Sequence, residues 1–325
     1  MAVPADRPAG VAGRQREHVL LAAFDAVSEP VAVLAGWASA AGARAEHEVA
    51  LGLGPSLFDE RFGLADRRPA RLRLLPAFPG DALEPARSDG DLLVVASADE
   101  PEHAAAAVEA LAREAGAAVR PRWRQAGFLR PGRGTRRNLL GFKDGSMNPR
   151  RPQDLDRHVW VRSGDMTWML GGTYLVYRRI RFDLEAWEGL DEAAQELIIG
   201  RHKRSGAPLG LRREFDPRRL ESLLEHSHVR TSAARSNAGA AMLRRAYSYA
   251  DAGRADAGLV FLAYQQDPRR QFFPVQARLA RDDALSAHVL HTASAVFAVP
   301  PPGGLLSLRD GGSTRASPRR SPLRR

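Results

Sequence analysis

Stretches of strand length and stretches of helical pattern follow one another along this chain in one order, and the order occurs twice. His18 to Val27 is a continuous apolar run of strand length. Ser28-Glu29-Pro30 reads as a helix start with proline in the first turn, and the helix is expected to run from Val31 to Ala43. A short strand then breaks at Gly52-Leu53-Gly54-Pro55. Asp91 to Ala98 is a strand, Asp99-Glu100-Pro101 opens an alanine-rich helix to Ala115, and Val119 to Phe128 is the last strand of the first half. The second half reads as strand Thr173–Phe182, helix Leu184–Ile199, strands Leu243–Tyr249 and Gly258–Gln265, helix Val275–Leu290 and strand Ser294–Val299. Two βαββαβ units imply antiparallel sheets with helices on one face, an α+β architecture with a site between sheet and helices. Only the elements repeat, since the two halves share no sequence repeat. The expected division is 1–150, 151–302 and a tail, 303–325, whose Gly, Ser, Arg and Pro content cannot bury a core and is expected to be disordered.

The chain has 325 residues, 44% hydrophobic and 26% charged, enough for one large domain or two of about 150 residues. It contains no cysteine, which excludes disulfides, thiolate haem ligands, iron–sulfur clusters and cysteine zinc sites. Histidine is therefore the candidate wherever iron must be held axially. The net charge of +10 suggests nucleic acid at first. From Gly303 onward, however, six arginines and one aspartate supply +5, half of the excess. No basic-aromatic cluster and no zinc-finger spacing accompanies the rest, so no nucleic-acid partner is expected. No apolar run of about 18 residues exists, so no membrane span is expected. Met1-Ala-Val-Pro-Ala-Asp6 lacks the basic and apolar regions of a signal peptide, and the chain as written is expected in the cytoplasm.

Two segments carry the chemistry. The first is Gly141-Phe142-Lys143-Asp144-Gly145, inside Asn138–Pro149. Asp-Gly is an ordinary turn pair and Asn148-Pro149 ends the turn, but the same glycines let backbone approach a flat ligand and aim the carboxylate at it. The second begins at His228-Val229-Arg230 and reaches Arg244-Arg245. His226 is a rival to His228, and Leu243–Tyr249 by composition alone is a strand whose arginines point outward or pair with acids. An iron-ligating histidine, a carboxylate and an arginine together suffice for splitting hydrogen peroxide.

In both segments the chain resembles the dye-decolourising (DyP-type) peroxidases, closest to their bacterial deferrochelatase/peroxidase branch. The likeness extends from about residue 10 to 302, through Gly171–Arg181, Ile199–Gly210, Gly258–Pro268 and Ala295–Pro300. It implies two tandem ferredoxin-like halves of the dimeric α+β barrel type, with haem b, one per chain, between sheet and helices of the second half. It further implies Asp144 as distal acid–base, Arg244 as distal arginine and His228 as the axial iron ligand. Asp283 is implied as acceptor for the other imidazole nitrogen, with Asp267 as the alternative and a helix cap or turn as the plain role of either. Gly145 would border the haem, and Arg201, His202 and Arg204 would pair with its carboxylates, or simply occupy a solvated loop. Ala246, Ser146 and Met147 depart from the family pattern, and Ala246 and Met147 would narrow the distal pocket. Relatives are often exported by the twin-arginine route, which implies a periplasmic or extracellular place if the true start lies upstream.

The activity implied is reduction of hydrogen peroxide with oxidation of an organic, dye-like donor. An imidazole base is protonated below about pH 6.5 whereas a carboxylate is not, so an acidic optimum below about pH 6 is expected. The alternatives are a deferrochelatase, which takes iron from haem and leaves the porphyrin intact, and a non-enzymatic haem-binding protein. Tyr174, Tyr247, Tyr249 and the five tryptophans would carry oxidising equivalents outward, or belong to the core. Self-association follows from the resemblance.

Overall fold

The computed structural model describes residues 7–39 and 41–309. The first half contributes β1 (His18–Ala26), α1 (Pro30–Ala38), β2 (Gly42–Ala43), β3 (His47–Leu53), β4 (Leu92–Ala98), α2 (Pro101–Ala115) and β5 (Val119–Phe128). The second contributes α3 (Pro152–His158), β6 (Thr173–Phe182), α4 (Leu184–Glu188), α5 (Glu192–Ile199), α6 (His228–Thr231) and β7 (Leu243–Arg254). It continues with β8 (Ala257–Gln265), α7 (Phe272–Asp282), β9 (Val289–Val299) and α8 (Pro302–Arg309). All strands join one antiparallel sheet in the order β2-β3-β4-β1-β5-β7-β8-β6-β9, so the first long strand of each half lies between that half's third and fourth. The halves meet through single residue pairs, Phe128 with Ser248 and Leu53 with Ala298, and the second pair closes the sheet on itself.

Side chains alternate across each strand, so closure makes two environments. One face turns inward and packs Leu21, Val95, Trp123, Tyr177, Tyr247 and Phe297 into a shared interior. The outer face of the first half is covered by α1 and α2, with Phe24, Trp37, Val94 and Val108 in contact. On the outer face of the second half, Arg178, Ile180 and Phe182 of β6 and Leu259 and Phe261 of β8 front a cavity. A candidate site therefore lies between sheet and helices of that half. No helix among the described residues is long and apolar enough to cross a membrane.

Several boundaries differ from expectation. The first helix ends at Ala38 rather than Ala43, and Gly42-Ala43 instead pair with β3. The single helix expected over Leu184–Ile199 is two, because Asp183 and Asp191 each cap a new start, accepting from Ala186 N at 3.0 Å and Ala194 N at 2.7 Å. The helix expected over Val275–Leu290 runs from Phe272 to Asp282, then yields to a tight turn and an early β9. The start of the expected disordered tail is also corrected. Residues 302–309 form α8, whose Leu305 and Leu308 are buried in the cluster that holds Trp168. Residues 310–325 lie outside the described residues.

The β6–β8 contact depends on one glycine. A Cβ on Gly258 would sit 1.9 Å from the Ile180 carbonyl oxygen, a backbone atom that cannot move without breaking the pairing beside it. Gly258→Ala is expected to destabilise the fold by about 3 kcal/mol, at the upper end of overpacking costs, as read from urea unfolding midpoints.

Candidate active site

The cavity between β6, β8, β9, α6, α7 and the Asp144 loop has a volume of ≈ 350 Å³. Leu140, Phe142, Ile180, Phe182, Leu259 and Phe261 make much of its wall apolar. Asp144, Gly145, Arg201, His228, Arg244 and Asp283 all line it, brought together from five separate stretches of chain.

His228 opens the one-turn helix α6, which Ser227 precedes. Its Nδ1 lies 2.6 Å from Asp283 Oδ2. The carboxylate of Asp283 is only 4% exposed, whereas the imidazole retains 30% because it fronts the cavity. Burial works against a charged imidazole, but the Asp283 charge and hydrogen bond outweigh it and raise the His228 pKa above its ordinary value. Asp283 has two duties. While Oδ2 engages His228, Oδ1 accepts from Leu285 N at 3.0 Å, capping the turn that ends α7. The plain reading of this residue as a cap and its reading as a histidine partner therefore hold together. Asp267 lies elsewhere, near Arg71 and Arg270, and His226 turns its Nδ1 to the Asp282 carbonyl at 3.0 Å.

Asp144 sits in a loop pinned at its base by the Arg137–Lys143 bridge. Gly145 adopts φ +92, and a Cβ there would come within 3.1 Å of Asn148 Nδ2. That amide is needed where it is: Asn148 donates to the Arg244 carbonyl at 2.7 Å and accepts from Arg244 N at 3.0 Å, binding the loop to β7 as a strand partner would. On the other side one carboxylate grips both flanks of Asp144. Glu214 takes Lys143 Nζ at 2.6 Å and Ser146 Oγ at 2.8 Å. Burial alone would raise the Glu214 pKa, but the bonds from Lys143, Thr135 and Ser146 hold it below the ordinary glutamate value. Its anchoring is thus complete above that ordinary range and fails only as pH falls through the lowered value. The loop so held places Asp144 Oδ1 3.8 Å from Arg244 Nη2.

Arginines mark the rest of the wall, and two of them, Arg201 and Arg218, have no carboxylate ion pair among the described residues. Arg201 lines the cavity and donates to backbone carbonyls of Gly206 and Glu214. Burial and then the neighbouring Arg218 push its guanidinium down to about 10. Arg218, which also lines the cavity, is lowered by burial and by Arg244. Across the cavity, buried Arg178 pairs with Asp81 and lies 3.3 Å from His291 Nδ1. Burial and Arg178 push His291 down to about 3, so it stays neutral until the pH falls to that value. His202 and Arg204 do not line the cavity. His202 turns away to Glu196, 2.8 Å from its Nδ1. Of the two narrowing residues, Met147 lines the cavity and Ala246 lines a neighbouring cleft. Tyr174, Tyr247 and Tyr249 are buried among core side chains. Glu214, Asn148, Arg218, Arg178 and His291 were not singled out from sequence. Asn148 stands close enough to the motif for its amide to have been a signal, whereas Glu214, 71 residues from Lys143, gave none.

Residues 23–129 match the N-terminal, and residues 135–303 the C-terminal, family model of the Dyp-type peroxidases. The chain belongs to the DyP-type peroxidases. Within that family, the dye-decolorizing peroxidase of Thermobifida fusca is 42% identical over 294 residues, 83% of this chain and 68% of the relative. The deferrochelatase of Escherichia coli K12 is 36% identical over 263 residues, 74% of this chain, and the match spans 62% of that relative's length. Ferric DtpA from Streptomyces lividans superposes with a TM-score of 0.87 at 36% identity, covering 94% of this chain and 95% of that one. A DyP-type peroxidase from Cellulomonas bogoriensis gives 0.83 at 34% identity, covering 94% and 98%. The Asp144 loop falls inside the part matched by the C-terminal family model.

Proposed function

We propose that this DyP-type peroxidase binds one haem b in the cavity and reduces hydrogen peroxide at the expense of an organic donor. The observation that carries the reading is the orientation of His228. Asp283 occupies Nδ1, so the lone pair of Nε2 is the one available to a metal in the cavity, and the carboxylate makes the imidazole a stronger donor. The cavity also suits the cofactor's other needs. Its walls are largely apolar, and Arg201 and Arg218 supply positive charge that no carboxylate inside the cavity neutralises, as the acid groups of a porphyrin would. When bound, haem supplies the redox capacity that lets peroxide reduction and donor oxidation occur as separate events.

The roles of the chain's own groups follow from their positions. Asp144 accepts a proton from one peroxide oxygen at its carboxylate and returns it to the other, which then leaves as water. Arg244 stabilises negative charge on the departing oxygen, with a cation already in place and needing no reorganisation. Asn148 and Glu214 keep the two groups in register.

The direct test is reconstitution with haem, followed by absorption spectroscopy and donor oxidation. A stoichiometry of one haem per chain and peroxide-dependent oxidation are expected, with an optimum below about pH 6 because a carboxylate base still accepts protons there. A chain that takes up no haem overturns the reading, and an optimum at neutral pH removes Asp144 as the operative base. The 36% identity to a deferrochelatase favours one second reading, release of iron from haem. Metal-free porphyrin fluorescence, growing in the presence of reductant and without peroxide, would distinguish it.

A further inference from the structure

The chain has no cysteine, so thioethers are its only sulfur. Of its five methionines, Met1 lies outside the described residues, and Met166 and Met169 are sealed in the core at 3% and 0% exposure. The other two line the cavity that holds Asp144, His228 and Arg244. Met242 packs half-buried against the core, but Met147 is 47% exposed. What flanks Met147 is fixed. It is the third residue of a turn closed by Asn148 N, which donates to the Gly145 carbonyl at 3.1 Å. On one side buried Ser146 donates to Glu214 at 2.8 Å, and on the other Asn148 holds the Arg244 backbone at 2.7 and 3.0 Å. The thioether is therefore kept at the cavity mouth, on the Asp144 loop, by contacts that leave its own side chain in water.

We propose that Met147 is a site of reversible oxidation by hydrogen peroxide, and that its sulfoxide slows peroxide reduction when peroxide is in excess. This rests on the peroxidase reading and adds a form of control to the same site. A lone pair of Met147 Sδ attacks one peroxide oxygen, and the O–O bond breaks. Sulfur gives up two electrons and keeps that oxygen, while the other oxygen takes its proton and departs as water. A thiol-dependent sulfoxide reductase reverses the step: two thiols become a disulfide and the oxygen leaves as water. The consequence for the site follows from polarity. A thioether accepts hydrogen bonds weakly, whereas a sulfoxide is a polar group with an oxygen that accepts them strongly. Arg244 and Arg218 face the same cavity and are the donors such an oxygen would draw. A guanidinium drawn to residue 147 no longer stands 3.8 Å from Asp144.

The test uses haem-loaded wild type, Met147→Leu and Met242→Leu, each treated with graded hydrogen peroxide and no donor, after which catalase removes the remainder. Peptide mass spectrometry reads the oxygen gained at each methionine. Donor oxidation then reads the fraction of each protein's own initial rate that survives, and the haem absorption band shows whether the cofactor is intact. Met147 should gain one oxygen at lower peroxide than Met242, with Met166 and Met169 last. At the dose that oxidises Met147 fully, wild type and Met242→Leu should lose at least about half of their initial rates, while Met147→Leu keeps most of its own. The two methionine sulfoxide reductases, one for each sulfur epimer, should restore both the thioether and the rate when supplied with dithiothreitol, which finds no cysteine in the chain. Met147→Gln, with a polar acceptor in place from the start, should have a lower kcat/KM for peroxide than Met147→Leu. An unoxidised Met147 when the wild-type rate has halved, an equal loss in Met147→Leu, or a restored thioether without a restored rate overturns the proposal. Failure of the peroxidase reading looks different: wild type oxidises no donor even before the peroxide treatment.

Discussion

Arg244→Leu is expected to lower kcat/KM for hydrogen peroxide by about 10²–10³, the usual cost of removing one fixed stabiliser of developing negative charge. The guanidinium is held by its own strand: β7 pairs with β8 from Leu243 to Ala250, and Asn148 clamps its backbone from the other side. A shortened side chain therefore leaves the position of Asp144 intact and removes only charge. Asp144→Asn is expected to cost about 10²–10⁴, because an amide cannot accept and return a proton. The two groups stand 3.8 Å apart and, on the proposed mechanism, serve one bond-breaking step. The double variant should therefore lose much less than the product of the single losses. Single-turnover kinetics with peroxide, before any donor is added, would measure this. A double variant whose losses multiply would place the two residues in separate steps.

His228→Ala is the second large effect. Loss of a cavity-facing imidazole positioned by a carboxylate is expected to abolish the absorption band of a histidine-ligated ferric haem, or shift it to that of a water-ligated one. Asp283→Asn separates support from ligation. An amide still fills the space and still accepts from Leu285 N, but gives His228 a neutral partner. Haem affinity or turnover should fall by about 10–100-fold with the ligand retained, in line with the loss of a carboxylate behind a metal-bound histidine. If Asp283→Asn bound haem and turned over as wild type does, Asp283 would be a turn cap alone and its 2.6 Å contact with His228 would be without consequence for the haem.

Part of this arrangement is legible in the chain itself. The apolar runs of strand length that became β1, β4, β6 and β8 are local properties, so the paired βαββαβ order and the α+β sheet are visible without tertiary information. Helix ends are less so. Nothing in Leu184–Ile199 forbids a continuous helix, and the break comes from Asp183 and Asp191 competing as caps. Leu305 and Leu308 offered too short an apolar stripe to announce a helix, and they are buried because the surface around Trp168 exists to receive them.

The same division holds for the site. Asp144, His228 and Arg244 stand in short motifs with recognisable chemistry, and their types and order suffice to suggest peroxide cleavage. The partners that aim them do not stand nearby. Asp283 is 55 residues from His228, Glu214 is 71 from Lys143, and Asn148 is 96 from Arg244. A charged or amide side chain on an exposed-looking loop is compatible with solvent until the register of the sheet and the course of the loops decide what faces it. The sequence by itself determined the fold class and the family and marked the proposed reacting groups, because these are carried by local pattern and motif. Only the tertiary structure decided which acid supports His228 and which cations face the cavity, because long-range contact is settled by packing and not by spacing along the chain.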